Sequence, residues 1–356
     1  MNATDPVWDV IIIGAGMSGL SARRTFVEHG MSCLTLEKSR GLGGRASTRR
    51  AGKVCADLGA QFTSAKTEYW RDLLQASGAV GVKPIFLQTD SLHPRYVHAE
   101  GMSRLASLLV TDLSDSQRPI RKETRVTKIE PSGKFPFWEI LDHHQQTHRA
   151  LGLVVTLPVP QALELFDHSG LSSKLDTDPS QRDRLNQIKY SRCISVAYVL
   201  NEETSLPQPG ILKNPSSEIS GIFDQAKKGL NTSEPTVVVQ AGPELSLKLW
   251  EEPTETQLET IWRKALDATG GQVFQKGFKA GWPQKWKYCE PLQQMDPKFE
   301  RVLTKWPSPL VLAGDAFGGA KIEGAIISGR EAALAVTRLL LPRTQPLNNC
   351  FTGTLD

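Results

Sequence analysis

A glycine-rich turn directly after a short apolar run constrains the fold of this chain more than any other feature. The run from Val7 to Ile13 has the length and composition of a buried strand, and it leads into Gly14-Ala15-Gly16-Met17-Ser18-Gly19. In such a turn the first glycine permits a tight bend, the second lets the backbone approach a pyrophosphate, and the third allows close packing of helix on strand. The apolar periodicity from Ser18 to His29, closed by Gly30, predicts a helix whose N-terminus faces the phosphates.

A second strand, Cys33 to Glu37, completes a βαβ unit with parallel strands and a right-handed crossover. Glu37 stands 18 residues after Gly19, where a carboxylate accepts hydrogen bonds from ribose hydroxyls, and Lys38 follows it. The glycines alone are compatible with an ordinary turn. Strand, turn, helix and acidic residue together predict the binding of a dinucleotide.

A second phosphate-directed loop follows at once, with the sequence Ser39-Arg40-Gly41-Leu42-Gly43-Gly44-Arg45. Its glycines bring backbone amides close to a phosphate, and Arg45 offers a charge-assisted contact. A solvated basic loop is the alternative interpretation. Two such loops suit a long, extended dinucleotide such as FAD.

The third segment lies near the other end of the chain. The apolar run Leu310 to Ala313 predicts a parallel strand, after which Gly314-Asp315 places a carboxylate at the ligand-binding edge of the sheet. Asp315 is predicted to bind ribityl hydroxyls, although a helix cap is the alternative. The predicted helix from Ala325 to Leu341, preceded by Lys321-Ile322-Glu323-Gly324, would aim its positive end at the flavin ring.

The length of 356 residues predicts two domains. We expect an α/β fold, with a Rossmann-like FAD-binding domain and a smaller mixed-sheet α+β substrate domain. The hairpin Glu123–Ile129 with Trp138–Leu141 and the strand Leu151–Leu157 are assigned to the first domain, whereas alternating strands and the helix Glu255–Ala268 mark the second. The predicted ranges are 1–70, 96–165 and 285–342 for the FAD-binding domain, 71–95 and 166–284 for the substrate domain, and 343–356 for a loose tail.

Composition excludes several classes of function. The excess of 42 basic over 38 acidic residues is scattered, which argues against nucleic-acid binding. The five cysteines include no CxxC pair, so we expect neither a disulfide framework nor a zinc site, but free thiols in a reducing cytoplasm. The histidines His143, His144 and His148 lack partners for a metal. No apolar run reaches the ~20 residues of a membrane span, and because the first strand is predicted near Trp8 we expect no signal peptide.

Together these segments resemble the glutathione-reductase-like FAD superfamily in its amine-oxidase branch, and within that branch the renalase-like oxidoreductases. The resemblance covers nearly the whole chain. The segments that carry it are Gly43-Gly44-Arg45-Ala46-Ser47-Thr48, Ala56-Asp57-Leu58-Gly59-Ala60-Gln61-Phe62, Thr156-Leu157-Pro158-Val159-Pro160, Trp286-Lys287-Tyr288, and Gly314-Asp315 with Glu323-Gly324-Ala325.

The resemblance implies a set of cofactor contacts. Val126 should meet the adenine through its backbone, and Gly59 to Gln61 should lie beside the isoalloxazine. Residues 314–329 contain no cysteine that could form the covalent flavin bond of monoamine oxidases, so FAD should be non-covalent. The full set of predicted cofactor-binding residues is Gly14, Gly16, Met17, Ser18, Gly19, Glu37, Lys38, Gly44, Arg45, Gly59, Ala60, Gln61, Val126, Gly314, Asp315, Glu323, Gly324 and Ala325.

The resemblance also implies a reaction. Renalase-like enzymes pass a hydride from an isomeric 2- or 6-dihydro-NAD(P) to flavin N5, and dioxygen reoxidises the flavin to give hydrogen peroxide. Gln61, Trp286 and Tyr288 are the predicted catalytic contacts at the flavin face, with core packing as the alternative for the two aromatic residues. Cys289 is close enough in sequence to line the same pocket, although the thiols are most simply buried small hydrophobes.

Two other functions stay open. One is an amine oxidase or desaturase of the same fold, but many amine oxidases place a lysine opposite flavin N5, and the comparable strand here offers Arg192 and Cys193. The other is a flavin-binding redox sensor without turnover.

Overall fold

The computed structural model describes residues 6–76, 80–87, 90–110, 118–133, 135–171, 179–271, 273–274, 276–297, 299–305 and 308–344. Its helices are α1 (Met17–Glu28), α2 (Glu68–Gln75), α3 (Val159–His168), α4 (Pro179–Gln187), α5 (Pro243–Lys248), α6 (Thr254–Ala268), α7 (Asp315–Gly318) and α8 (Ile322–Thr344), with a 3₁₀ helix at Met102–Leu109. Most of the predicted tail, residues 345–356, lies outside the described residues.

Seventeen strands are described: β1 (Val7–Ile13), β2 (Cys33–Leu36), β3 (Thr48–Ala51), β4 (Val54–Asp57), β5 (Val82–Leu87), β6 (Asp90–His98), β7 (Ile120–Arg121), β8 (Val126–Pro131), β9 (Trp138–Asp142), β10 (Thr147–Val155), β11 (Cys193–Leu200), β12 (Ile211–Lys213), β13 (Ile219–Asp224), β14 (Thr236–Ala241), β15 (Phe278–Trp286), β16 (Val302–Thr304) and β17 (Leu310–Leu312).

The first sheet has the order β16-β17-β10-β1-β2-β7, in which β17, β10, β1, β2 and β7 run parallel. This arrangement confirms the predicted βαβ unit and the Rossmann-like fold, with the C-terminal strand β17 inserted next to β10. The predicted hairpin is confirmed as β8–β9, which joins the sheet through β10. Strand β10 begins at Thr147 rather than at the predicted Leu151, because its polar first residues pair with β9 before the buried part reaches β1.

Helices α1 and α8 cover one face of this sheet and touch each other closely. An added Cβ at Gly329 would lie 2.0 Å from the carbonyl oxygen of Ser18. The backbones therefore meet at a distance that only glycine allows. Buried apolar side chains of both helices and of β1 fill the space beneath, among them Phe26, Val10, Ile12 and Val336.

The second sheet is antiparallel, with the order β12-β13-β14-β11-β15. One of its faces packs on α6 through Ile194, Val196 and Tyr198 of β11, among others. The alternate residues Ala197 and Val199 lie on the opposite face, which packs against β4 of the first half of the chain. This second face therefore looks toward the loops at the edge of the parallel sheet.

In the part of the chain that is described, no helix is long and apolar enough to cross a membrane. Among those same residues, no three His, Cys, Asp or Glu side chains cluster in a way that could hold a metal ion. Instead, His148 is buried and its Nε2 donates to the Asp142 carboxylate at 2.8 Å.

Candidate functional site

The glycine-rich turn has the geometry that its sequence predicts. Gly14 adopts a φ of +104°, which favours glycine, and an added Cβ at Gly19 would lie 1.9 Å from the Gly14 carbonyl oxygen. Gly16 caps α1, and an added Cβ there would meet nothing within 4 Å. The backbone of Gly16 thus faces open space at the start of a helix, where a pyrophosphate can approach it.

The first turn of α1 also has unused hydrogen-bonding capacity. The hydroxyl of Ser18 is buried and has no partner within the described residues, and the turn contains no acidic side chain. The first N–H groups of a helix have no intrahelical acceptor. A buried hydroxyl without a partner, beside such N–H groups, fits an anionic group of a bound dinucleotide. The residues of this turn are therefore suited to hold the pyrophosphate of FAD.

Glu37 ties the turn to the region predicted for the adenine end. Its carboxylate accepts the backbone N–H groups of Ala15 and Ser39, each at 2.7 Å. Its carbonyl accepts the N–H of Thr124 at 2.8 Å, two residues before Val126, which begins β8. Each carboxylate oxygen has a second lone pair for a ribose hydroxyl. Contact of Val126 and of the exposed Lys38 with the cofactor stays a prediction.

The second glycine loop docks on the first. The N–H of Gly43 donates to Ala15 at 2.9 Å, and Gly44 adopts a φ of +59° within close approach of Gly16. Arg45 forms a bidentate ion pair with Asp315, at 2.7 and 2.9 Å, and its contact with a phosphate stays a prediction. The two phosphate-directed loops therefore lie together, and the Arg45–Asp315 pair joins the second loop to the C-terminal segment.

The segment around Asp315 reaches the same place from the C-terminal side. An added Cβ at Gly314 would meet nothing within 4 Å, so this backbone also faces open space. The predicted helix begins at Ile322 rather than Ala325, so Glu323 lies in its first turn with Gly324. The Glu323 carboxylate accepts the N–H groups of Lys66 and Thr67 at 2.7 and 2.6 Å and so holds the two residues that precede α2. Its contact with the cofactor stays a prediction.

Gln61 lies at the centre of a buried polar network. Its Nε2 donates to the carbonyl of Gly59 at 3.1 Å and also to that of Asp57. Its Oε1 accepts the Nζ of Lys228 at 2.7 Å, and the same Nζ lies 3.0 Å from the Asp57 carboxylate. Lys228 and Asp57 are both fully buried. Burial lowers the pKa of Lys228, and the charge of Asp57 opposes this effect without fully offsetting it.

The two predicted aromatic contacts lie near different parts of the candidate site. Trp286 is the last residue of β15 and donates its Nε1 to the carbonyl of Leu58 at 2.7 Å. Tyr288 packs edge to face on Tyr190, with ring centroids 5.8 Å apart. The Tyr190 hydroxyl lies 3.4 Å from Asp315, and burial together with that carboxylate raises the pKa of Tyr190. Trp286 and Tyr288 are thus adjacent to Gly59 and to the Arg45–Asp315 pair, respectively.

Sequence reasoning missed Lys228 and Tyr190. Lys228 follows Lys227 in a turn, and two adjacent lysines are typical of a solvated loop. The two residues expected in place of an amine-oxidase lysine have other surroundings: the Arg192 guanidinium lies 4.8 Å above the Trp250 ring, and Cys193 is buried as a free thiol. Lys228 does place a buried lysine in the polar network around Gln61, but it lies in the turn after β13 and not on β11.

Two family models match the chain. One, described as an NAD(P)-binding Rossmann-like domain, covers residues 12–77. The other, described as flavin containing amine oxidoreductase, covers residues 64–337 and hence most of the chain.

Relatives and solved structures agree with these matches. The putative flavin-containing monoamine oxidase AofH of Mycobacterium tuberculosis is 41% identical over 61 residues, which are 17% of this chain and only 13% of that protein. A putative protoporphyrinogen oxidase from Exiguobacterium sp. 255-15 superposes with a TM-score of 0.68 at 14% identity, covering 94% of this chain and 99% of that one. Cyclohexylamine oxidase from Brevibacterium oxydans gives 0.67 at 14%, covering 94% and 100%. The two structural likenesses show a shared fold.

Proposed function

The chain belongs to the family of flavin-containing amine oxidoreductases, whose cofactor is FAD, and on that premise we propose that it is a renalase-like FAD-dependent oxidase. Its proposed substrate is a dihydro-NAD(P) isomer reduced at the 2- or 6-position, and its products are NAD(P)⁺ and hydrogen peroxide. Bound FAD supplies the hydride acceptor, N5, and passes the electrons on to dioxygen.

The contact between the second sheet and the segment Leu58–Gly59 is the observation that carries this proposal. Gln240 of β14 donates its Nε2 to the Gly59 carbonyl at 2.8 Å, and Trp286 of β15 donates to Leu58. The sheet face that looks toward the cofactor loops therefore meets the segment predicted to lie beside the isoalloxazine.

The same sheet face is polar at this point. Ser195 stands opposite Gln240 on one side and Gln284 on the other, and its buried hydroxyl has no partner within the described residues. Residues directly opposite in antiparallel strands share a face. Amide, hydroxyl and indole groups side by side suit a planar ring that carries a carboxamide, which is the reactive part of a nicotinamide.

Gln61 and Lys228 have a positioning role in this proposal. Lys228 donates to Gln61 Oε1, and Gln61 donates to the Gly59 carbonyl, so the amide is fixed in one orientation. Because both side chains are buried, they also keep water from that side of the ring. No protein nucleophile is required, since the protein contributes position and electrostatics while the cofactor carries the electrons.

The proposal is tested by mixing the yellow protein anaerobically with 2- or 6-dihydro-NAD(P) and recording the flavin absorbance. We expect bleaching by these isomers, followed by reoxidation and peroxide release when air is admitted. A flavin that stays oxidised with every isomer would overturn the proposal.

A matched pair of glutamine variants links this reaction to the sheet face. Gln240→Leu should slow bleaching about fivefold, because it removes a hydrogen bond worth about 1 kcal/mol at the site. Gln293→Leu, an exposed side chain that bonds the Gln187 carbonyl, should leave the rate unchanged. Equal bleaching rates for the two variants would show that this sheet face does not contribute to the substrate site.

An amine oxidase is the second candidate. The family model, the buried Lys228 and the paired rings of Tyr190 and Tyr288 favour it, since aromatic faces attract ammonium groups. Peroxide release on an amine panel, together with no bleaching by nicotinamides, would establish it in place of the first.

A further inference from the structure

Two free cysteines, Cys193 and Cys289, meet beside the proposed site. Cys193 begins β11, and Cys289 follows the end of β15 by three residues. Each thiol shifts the pKa of the other, as neighbouring side chains do. The N–H of Cys289 donates to Ser191 and that of Ser191 to Glu290, both at 2.9 Å, so the two segments continue the strand pairing. This backbone pairing keeps the two cysteines on adjacent segments.

The two thiols differ in environment. Cys193 is almost fully buried, whereas Cys289 is partly exposed. The neighbouring Cys289 thiol and burial raise the pKa of Cys193. The Cys193 thiol lowers the pKa of Cys289, helped by the charge of Arg45 and opposed by burial and by the carboxylates of Glu290 and Asp315. Because a reactive thiol must be accessible as well as ionisable, the partly exposed Cys289 is the member that reacts first.

We propose that Cys289 is a peroxide-reactive thiol and that Cys193 is its resolving partner. The Cys289 thiolate attacks one oxygen of hydrogen peroxide, the O–O bond breaks, and the hydroxide that leaves takes up a proton to become water. The resulting sulfenic acid is then attacked by the Cys193 sulfur, its S–O bond breaks, and a second water leaves. In sum, two thiols lose two electrons and two protons, and one peroxide becomes two waters.

The cysteine pair lies next to the candidate cofactor site. The carbonyl of Cys289 accepts Arg45 Nη1 at 2.9 Å, so the reactive residue is one contact away from the Arg45–Asp315 pair. If the proposed oxidase function holds, peroxide is released next to this thiol. A disulfide would then cross-link β11 to the segment that holds Arg45 and would register turnover at the cofactor site.

The experiment treats the reduced, FAD-loaded protein with a small excess of added peroxide, alkylates the remaining thiols and maps the peptides. We expect a disulfide between Cys193 and Cys289 that dithiothreitol reverses. Cys33 and Cys55 should remain reduced thiols and should therefore be recovered in alkylated form. Cys55 is the internal comparison, since burial and the neighbouring Asp57 raise the pKa of its thiol. Because the peroxide is added, failure here would leave the proposed oxidase function untouched.

Serine variants separate the two roles. Cys193→Ser should stop at a sulfenic acid on Cys289 that dimedone traps, and Cys289→Ser should leave Cys193 reduced, with the flavin spectrum reporting that each variant folds. The proposal is overturned if Cys289 survives peroxide as long as Cys55 does. It is equally overturned if Cys289 pairs with Cys350 or stops at the sulfenic acid in the unmodified protein.

Discussion

Charged side chains that meet across long stretches of sequence define the candidate site at the scale of single residues. Arg45 pairs with Asp315 over a separation of 270 residues, and Lys228 pairs with Asp57 over 171. Glycine motifs mark Arg45 and Asp315 in the sequence, but the pairing of the two is a property of the fold. Nothing local distinguishes Lys228 from a surface lysine, because its burial depends on how the turn after β13 packs against β4.

Removing Lys228 tests the buried pair. Lys228→Met leaves the Asp57 carboxylate buried without its partner, and we expect the free energy of unfolding in urea to fall by about 3–5 kcal/mol. Lys279→Met is the matched control, since this lysine is half-exposed and its ion pair with Glu234 is a surface contact; its effect should stay below about 1 kcal/mol. Adding Asp57→Asn to Lys228→Met should restore part of the loss. Equal effects of the two single variants would contradict a buried, charged partner for Asp57.

Whole elements were predictable where the signal is local. The first strand, the glycine turn and α1 follow from apolar periodicity and three glycines, and their bounds differ from the prediction by one residue at most. The start of β10 and the start of α8 were less predictable. Pairing with β9 extends the strand, and Glu323 in the first turn of α8 accepts the backbone N–H of Thr67. Such contacts are tertiary, so a pattern along the chain does not contain them.

The contact between α1 and α8 supports a prediction about packing. Gly329→Ala would place a methyl group 2.0 Å from the Ser18 carbonyl oxygen, so α1 must shift. We expect a loss of about 1–3 kcal/mol in the free energy of unfolding, as for other overpacked sites. Binding of FAD should weaken too, because the N-terminus of α1 forms part of the candidate site. Gly133→Ala is the control, because an added Cβ there meets nothing within 4 Å. It should change the free energies of unfolding and of FAD binding by no more than a few tenths of a kcal/mol. If Gly329→Ala had as small an effect as Gly133→Ala, the close contact between α1 and α8 would be refuted.

The β9–β10 hairpin should make a pH-dependent contribution to stability. Burial raises the pKa of Asp142, but hydrogen bonds from His148 and from the backbone of Gln146 and His144 outweigh this effect, so its pKa lies below the ordinary value. A carboxylate of this kind stabilises the fold above its unfolded pKa, about 3.9, and the contribution is lost as the pH falls through the folded pKa. The difference in free energy of unfolding between the natural protein and Asp142→Asn should therefore be largest near neutral pH and shrink below about pH 4. A difference that does not vary with pH would mean that Asp142 is not ionised in the fold.

At the scale of the whole molecule, the site forms where an antiparallel sheet faces the loop edge of a parallel one. The change from buried to alternating strands after Ser191 predicted a second sheet, and the family model and solved structures agree with the fold as a whole. Which face of that sheet looks toward the cofactor loops was not predictable. Both faces of β11 are apolar over most of their length, and only the pairing of Ser195 with Gln240 and Gln284 shows the polar patch.

We expect the assembled loops to hold FAD without a covalent bond. The most direct measurement is to precipitate the purified yellow protein in acid and identify the flavin by its absorbance and mass in both fractions. We expect about one intact FAD per chain in the supernatant. Flavin that stays with the precipitate, or a colourless protein that does not take up added FAD, would contradict it.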